Sequence, residues 1–264
     1  MFDRAFDYSG KTVLITGAGT GLGRAMSLAL ADCGADIVGA ARRLEPLQET
    51  KAMVEETGRK CLVSTCDVRD SGQVNDMISN AIKAFGRIDI LINNAGVGEA
   101  GRGKTLLELT DEEWHSGIDT NLSSAFYCSR AMIPHFLENG GGRIINLTSG
   151  WGYRARRDLY MYSIAKGGII QLTKCLAVSY ARDNIYVTCI APGSVPTQIT
   201  EDEIPAAAAN QPMGRVGVGG DISSAAVFLC SDFSNYMTGE TILVDGGAIA
   251  GGLTPAGIEP RAEG

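Results

Sequence analysis

The first buried segment of the chain is a strand that leads directly into a glycine-rich turn and a helix. Lys11 to Thr16 is a short apolar, β-branched run typical of a buried strand. Residues Arg24 to Cys33, beyond the turn, have an amphipathic helical pattern. The turn itself reads Gly17-Ala18-Gly19-Thr20-Gly21-Leu22-Gly23. Glycines let the backbone approach a pyrophosphate, which then lies at the positive end of the helix. The arrangement predicts a dinucleotide-binding unit, with a tight structural loop as the alternative.

The end of the second expected strand, 35–40, bears on which dinucleotide is bound. This strand is followed by Ala41, Arg42 and Arg43. An acidic residue here would bind a ribose 2′-hydroxyl and favour NAD. Ala41 supplies no carboxylate, and Arg42 can meet a 2′-phosphate. We therefore predict NADP(H), with NAD as the alternative; the two arginines could instead be solvated charges at the start of a helix.

Strands and helices alternate along the rest of the chain. Further strands are expected at 60–66, 88–93, 142–148, 185–191 and 241–244, and helices at 45–57, 71–85, 110–138, 162–181 and 221–230. This alternation predicts an α/β fold with right-handed crossovers and a parallel sheet. Asp67, Asn94 and Ser149 then stand at carboxyl ends of strands, where the ligands of such sheets bind.

Tyr162 and Lys166 lie four positions apart on an expected helix, so their side chains share one face. A phenol titrates near 10, and a cation beside it is expected to lower that pKa. The hydroxyl of Ser149 could hydrogen-bond a substrate oxygen, which suits proton exchange with an alcohol or a carbonyl. The spacing Y-x-x-x-K also occurs by chance on many helices, so it needs partners. Asn121, expected to be buried in mid-helix, indicates a polar role because asparagine favours helices poorly.

Composition excludes several classes of function. The 264 residues carry a formal charge of −7, which argues against a nucleic-acid partner. No run of about eighteen apolar residues is present, and Met1 to Lys11 resembles no signal peptide, so no membrane association is expected. The seven cysteines form no C-x-x-C pair, which favours buried thiols in the cytoplasm. His115 and His135 show no ligand pattern, so no metal is expected. We expect a single catalytic domain over 1–264, with a cofactor and catalytic core (11–197), a substrate loop (198–219) and a C-terminal tail (248–264).

Together these motifs resemble the short-chain dehydrogenase/reductase family over essentially the whole chain. The matching residues are Thr16-Gly17-x-x-x-Gly21-x-Gly23, Asp67-Val68, Asn93-Asn94-Ala95-Gly96, Asn121, Ser149, Tyr162-x-x-x-Lys166 and Pro192-Gly193-x-Val195-x-Thr197. The resemblance implies a Rossmann-type, doubly wound, parallel seven-stranded sheet of order 3-2-1-4-5-6-7 with helices on both faces. It also implies a homotetramer or homodimer.

The resemblance further implies residue roles. Tyr162 would be the general acid/base, Ser149 would hold the substrate oxygen, Lys166 would lower the tyrosine pKa and bind the nicotinamide ribose, and Asn121 would hold a water of a proton relay. The other cofactor contacts implied or suggested are Gly17, Gly19, Thr20, Gly21, Leu22, Gly23, Arg42, Arg43, Asp67, Val68, Asn94, Ala95, Gly96, Pro192, Gly193, Val195 and Thr197. The activity implied is NAD(P)-dependent interconversion of a secondary alcohol and a ketone.

The segment between Ser149 and Tyr162 is the best guide to the substrate. Trp151 is close enough to Ser149 in sequence to line a pocket, and Gly193 is a further candidate contact. Arg154, Arg156 and Arg157 could recognise a carboxylate, phosphate or sulfonate, or could be surface or interface charges. We favour a sugar, polyol or hydroxy acid. The alternatives are a 3-oxoacyl thioester and a catalytically silent NADP-binding regulatory protein.

Overall fold

A computed structural model describes residues 6–98, 102–196, 208–209 and 211–251. Its centre is a seven-stranded sheet of order β3-β2-β1-β4-β5-β6-β7, in which every neighbouring pair is parallel. The strands are β1 (Thr12–Thr16), β2 (Asp36–Ala41), β3 (Cys61–Thr65), β4 (Ile90–Asn93), β5 (Gly142–Leu147), β6 (Ile185–Pro192) and β7 (Thr241–Val244). The expected strand order and direction are confirmed.

Seven α-helices cover the two faces of the sheet. They are α1 (Gly21–Asp32), α2 (Leu44–Glu56), α3 (Ser71–Phe85), α4 (Asp111–Ile118), α5 (Ser124–Glu138), α6 (Tyr160–Tyr180) and α7 (Gly219–Cys230), counted within the described ranges. Successive residues of β1 point to opposite faces. Val13 and Ile15 join the core beneath α1 and α7, and Leu14 joins the core beneath α3 and α5. The fold is therefore doubly wound, as expected.

Strand order reverses between β1 and β4, which lie side by side although α1 to α3 separate them in sequence. At such a point the connections leave to opposite faces, and a crevice opens beyond the carboxyl ends of the strands. The glycine turn follows β1 at this edge, and Asn94 follows β4. Ser149 comes two residues after β5. The topology thus brings the sequence motifs to one edge of the sheet.

The helix expected over 110–138 is interrupted. Thr110 and Glu113 cap its start in the expected reciprocal arrangement, but a π-helical segment, Asp119–Ser123, separates α4 from α5. Within it, the side-chain amide of Asn121 donates to the carbonyl oxygens of Gly117 and Val97, each at 2.9 Å. The wider π turn accommodates a residue held from outside the helix, and π-helical turns often mark functional sites. The other elements begin and end within three residues of their expected bounds.

The structure also shows where the histidine and cysteine side chains lie. His135 accepts a hydrogen bond from the backbone N–H of Ile88 at Nε2 (3.1 Å), a structural role. Five of the seven cysteines are buried. Within the described part of the chain, no cluster of acidic, histidine and cysteine side chains could hold a metal ion. Among these residues no helix has both the length and the apolar character needed to cross a membrane. Thr197, half of the expected substrate loop (198–207 and 210) and residues 252–264 lie outside the described ranges.

Candidate active site

The glycine turn after β1 has the shape that a dinucleotide pyrophosphate requires. Gly17 has a φ of +70°, and a Cβ there would lie 2.8 Å from Nδ2 of Asn94. A Cβ on Gly23 would lie 2.7 Å from the same atom and would also collide with the carbonyl oxygen of Gly17. Thr20, the residue before α1, makes no side-chain capping bond, so the first N–H groups of the helix face outward without one. The turn therefore fits an anion at a helix N-terminus.

The segment after β4 holds this turn in place. Asn94 donates from Nδ2 to the carbonyl oxygens of Thr16 (2.9 Å) and Gly17 (3.3 Å). The Thr16 hydroxyl oxygen accepts from the backbone N–H groups of Asn94 and Ala95, both at 3.0 Å. The predicted contact of Asn94 with adenosine stays a prediction; its side chain in this structure connects β4 to the glycine turn. Leu22, in the first turn of α1, packs against the core.

The predicted adenosine end of the site contains both arginine and aspartate side chains. Arg42 and Arg43 are exposed after β2, and Val68 is buried after β3. Arg69 makes an ion pair with Asp67 at 2.6 Å. This hydrogen-bonded pairing is the main reason that the pKa of Asp67 lies below its usual value, and the charge of Arg42 lowers it further. Further carboxylates lie near, since the charge of Asp119 acts on Arg69 and that of Asp67 on Asp70.

Asn121, Gly96 and Lys166 come together beside the end of β4. Asn121 is 2% exposed, and its Oδ1 accepts the backbone N–H of Val97 at 3.0 Å. A Cβ on Gly96 would lie 2.8 Å from that oxygen and 3.4 Å from Nζ of Lys166. Only glycine therefore fits between the asparagine and the lysine. The sequence indicates a polar role for Asn121. In the structure its side chain joins the π-helical segment to the loop that follows β4.

Ser149 and Tyr162 interact across the carboxyl end of β5. The Ser149 hydroxyl lowers the pKa of the Tyr162 phenol, but burial, the larger effect, raises that pKa above its usual value. The predicted lowering of the tyrosine pKa by Lys166 stays a prediction. Nζ of Lys166 lies 5.7 Å from the centre of the tyrosine ring and donates to the carbonyl oxygen of Leu147 at 2.8 Å. The ammonium is thus bound to the backbone of β5.

Two groups next to Lys166 were not singled out from the sequence. One is the carbonyl of Leu147, and the other is the buried hydroxyl of Thr148, which donates to the backbone oxygen of Lys166 at 2.6 Å. Burial lowers the pKa of Lys166 to about 8. Thr148 directly precedes Ser149, so its position as a polar residue at the end of a strand is the sequence feature that could have identified it. Its partner, eighteen positions away, could not be read from local sequence.

The segment after β6 borders a cavity of about 280 Å³. Pro192 ends β6 opposite Val244 of β7, and a Cβ on Gly193 would lie 2.6 Å from the Cα of Asp245. The cavity is lined by Gly193, Ser194, Val195, Met213, Arg215 and Gly246, among others. A larger cavity of about 410 Å³ lies at the opposite edge, near Asp89 and Arg143. We assign the site to the carboxyl edge because the tyrosine, lysine and glycine turn are there.

The three arginines between Ser149 and Tyr162 differ in their surroundings. The guanidinium carbon of Arg154 lies 4.4 Å from the centre of the Trp151 ring. Trp151 is held by its backbone N–H, which donates to the Ser149 hydroxyl at 3.2 Å. Arg156 makes an ion pair with Asp158 at 2.5 Å, and Arg157 is exposed. Arg154 is therefore the arginine connected, through Trp151, to the candidate catalytic serine.

The known proteins that this chain resembles are dehydrogenases and reductases. A family model described as Enoyl-(Acyl carrier protein) reductase matches residues 17–248. A 2-dehydro-3-deoxy-D-gluconate 5-dehydrogenase from Escherichia coli is 38% identical over 257 residues, which cover 95% of this chain and 100% of that protein. A 3-oxoacyl-[acyl-carrier-protein] reductase from the same organism is 35% identical over 245 residues, covering 91% and 98%.

A solved structure is similar over nearly its full length. It is the crystal structure of a carveol dehydrogenase from Mycobacterium avium in complex with NAD. It is 30% identical in sequence, with a TM-score of 0.85, over 92% of this chain and 98% of that one. The glycine turn and the helix that contains Tyr162 lie within residues 17–248, which the family model matches.

Proposed function

The chain belongs to the short-chain dehydrogenase/reductase family of NAD(P)-dependent oxidoreductases, and we propose that it interconverts a secondary alcohol and a ketone with Tyr162 as general acid/base. The observation that carries the proposal is the convergence of Ser149, Tyr162, Lys166 and Asn121 at the edge of the sheet that holds the glycine turn. The hydroxyl of Ser149, the phenol of Tyr162 and the ammonium of Lys166 together suit proton transfer at a substrate oxygen.

The bound nicotinamide would supply or accept the hydride. Ser149 would hold the substrate oxygen by a hydrogen bond, and Tyr162 would give it a proton during reduction. Burial supports the acid role because the raised pKa keeps the phenol protonated at neutral pH. In the oxidation direction Tyr162 must act as a phenolate, so this direction should gain from higher pH. We further propose that Asn121 positions a water that links Lys166 to solvent.

We propose NADP(H) as the preferred cofactor, bound by the glycine turn, the β2 end and the segment after β6. Ala41 offers no carboxylate to a ribose 2′-hydroxyl, and Arg42 and Arg43 are exposed at the strand end. Arg69 adds a third positive charge nearby, partly balanced by Asp67. NAD is the alternative, supported by the carveol dehydrogenase complex. Thr197 stays a proposed contact beside Val195.

We propose a polar substrate with a hydroxyl or keto group: a sugar, a polyol or a hydroxy acid. The arginine stacked on Trp151 supports an acidic member of this class, because stacking uses the guanidinium face and its N–H edge suits a carboxylate. The name of the first relative, a deoxygluconate derivative dehydrogenase, points the same way. A 3-oxoacyl thioester is the second candidate, favoured by the matched family description and the acyl-carrier-protein reductase.

We also propose a homotetramer or homodimer in the cytoplasm. Phe126 on α5 is 43% exposed and Val178 on α6 is 87% exposed, and large apolar side chains on neighbouring helices favour a protein interface. Size-exclusion chromatography with light scattering tests this: a monomer at micromolar concentration would refute it.

The function is tested by steady-state assay of the purified protein and its Tyr162→Phe variant. The panel would hold NADPH or NADP⁺ with keto and hydroxy sugar acids, neutral polyols and an acetoacetyl thioester. Wild type should turn over at least one sugar acid or polyol, and Tyr162→Phe should lose roughly two to four orders of magnitude in kcat while still binding cofactor. Tyr180→Phe, on the same helix, is the control. Turnover retained by Tyr162→Phe would refute the mechanism, and cofactor binding without any turnover would indicate the regulatory alternative.

A further inference from the structure

We infer that Arg24 is a positioning residue of the cofactor site, which fixes the glycine turn against α2 and thereby couples the pyrophosphate end to the 2′-phosphate end. The inference rests on the proposed function, since it concerns binding of NADP(H). Arg24 is in the first turn of α1 and has no assigned role in the motif before it. Its importance comes from its contacts.

The guanidinium of Arg24 bridges the turn and α2 with four hydrogen bonds. Nη2 donates to the carbonyl oxygens of Gly19 (2.6 Å) and Pro46 (3.2 Å) and to Oε2 of Glu49 (2.6 Å). Nε donates to the hydroxyl oxygen of Thr50 at 3.0 Å. Three of these partners are on α2, and the fourth is in the glycine turn. One side chain therefore joins the two elements.

Thr50 holds the turn from the same side. It is 2% exposed, and its hydroxyl lies 3.1 Å from the carbonyl oxygen of Ala18. The carbonyl oxygen of Pro46 lies at the same distance and shares this donor. The carbonyl of Gly19 is thus held toward α2 by Arg24, and that of Ala18 faces the Thr50 hydroxyl. Backbone N–H groups bind an anion and carbonyl oxygens repel it. A carbonyl held by α2 cannot rotate toward the position of a bound pyrophosphate, so Arg24 preserves the binding form of the turn.

The packing is tight at this junction. A Cβ on Gly19 would lie 3.2 Å from Cβ of Pro46 and 3.4 Å from the backbone nitrogen of Leu47. The turn therefore rests directly on the first turn of α2. Because the ion pair with Glu49 involves a carboxylate side chain that is 57% exposed, it contributes little, and the bonds to the carbonyls and Thr50 matter most.

Helix α2 begins directly after the two arginines that are proposed to bind the 2′-phosphate. Arg43 is the residue that precedes α2, and Arg42 comes before it. By attaching the first turn of α2 to Gly19, Arg24 sets the distance between the anion site of the turn and these two arginines. Loss of Arg24 should therefore weaken binding of both cofactors and weaken NADPH more, since NADPH uses both ends.

The alternative is that Arg24 only fastens α1 to α2 and contributes to stability. Arg59 provides a matched control. Its guanidinium donates to the carbonyl oxygens of Gly34 (3.1 Å) and Gly58 (3.2 Å), and so it joins the same two helical regions at the end remote from the turn. If an arginine only stabilises the packing of these two regions, its loss should lower the melting temperature without changing cofactor preference. This holds for Arg24 and for Arg59 alike.

The test is titration of the full-length protein with NADPH and with NADH, followed by nicotinamide fluorescence, for wild type, Arg24→Met, Arg24→Lys and Arg59→Met. We expect Arg24→Met to raise the Kd for NADPH at least tenfold, about 1.4 kcal/mol, to raise the Kd for NADH less, and to raise the KM for NADPH more than it changes kcat. Arg24→Lys should recover part of the affinity. Arg59→Met should keep the wild-type ratio of the two Kd values.

Three results would overturn the inference while leaving the proposed function intact. These are a wild-type Kd ratio in Arg24→Met, an equal change of that ratio in Arg59→Met, or a lower melting temperature with unchanged affinity. Wild-type protein that binds neither dinucleotide would instead refute the proposed function itself. The two failures are therefore distinguished by the wild-type titration, which is measured first.

Discussion

The hydroxyl of Thr148 donates a 2.6 Å hydrogen bond to the backbone oxygen of Lys166, while Nζ of Lys166 donates to the backbone oxygen of Leu147 at 2.8 Å. This reciprocal pair connects the end of β5, which precedes Ser149, to the helix turn that contains Tyr162. A Cβ on Gly152 would lie 2.8 Å from both the Thr148 hydroxyl and the Lys166 oxygen, so the junction has no spare volume. The spacing of the serine and the tyrosine depends on it.

Replacing Thr148 by valine should therefore lower both stability and turnover. Loss of one buried hydrogen bond costs about 1 kcal/mol of unfolding free energy. Displacement of Ser149 relative to Tyr162 should reduce kcat by about tenfold or more, since catalysis is sensitive to misplacement of about 1 Å. Urea denaturation and steady-state kinetics measure the two effects.

Two further variants make that result specific. Thr148→Ser retains the hydroxyl and should restore most of kcat. Ser179→Ala removes an exposed hydroxyl bond on the same helix, the 2.8 Å contact to the Cys175 oxygen, and should leave kcat unchanged. A Thr148→Val enzyme with wild-type kcat would show that the junction does not position the serine.

Lys166 should make stability depend on pH. Burial lowers its pKa from 10.5 to about 8. Between these values the unfolded chain binds a proton that the folded chain has released. The contribution of Lys166 to unfolding free energy therefore rises with pH from about 8 to 10.5 and is constant below. The difference in unfolding free energy between wild type and Lys166→Met should increase over this window in urea titrations.

The exposed Lys174 on the same helix is the control for that measurement. Lys174→Met, measured over the same pH range, controls for the removal of a lysine side chain from this helix. A pH-independent difference for Lys166→Met would mean that the ammonium is not desolvated in the folded protein.

Changing Ala41 to aspartate should reverse cofactor preference. The carboxylate would accept a ribose 2′-hydroxyl and repel a 2′-phosphate at the end of β2. We expect the ratio of the Kd for NADH to that for NADPH to fall by at least about tenfold, equal to 1.4 kcal/mol. Ala41→Asn, of similar size without the charge, should change the ratio much less. If both variants behave alike, the effect is steric, and charge at this strand end does not select the cofactor.

Local patterns in the sequence determined much of this protein. The alternation of apolar strands and amphipathic helices predicted a parallel α/β sheet, because the periods of two and 3.6 residues follow from backbone geometry alone. The cap formed by Thr110 and Glu113 was also predictable, since its partners are three residues apart. The family motifs identified the candidate residues of the site and, through the resemblance, the strand order 3-2-1-4-5-6-7.

Only the tertiary structure decided how those residues are held. The π-helical break at Asn121 depends on Val97, 24 positions away, and the ammonium of Lys166 is bound by Leu147, 19 positions away. Arg24 binds Thr50 across 26 positions. Such bonds form when separate elements pack, and their distances depend on the whole core rather than on any local period. For the same reason, the burial that raises the pKa of the Tyr162 phenol follows from packing and could not be read from the spacing of Tyr162 and Lys166.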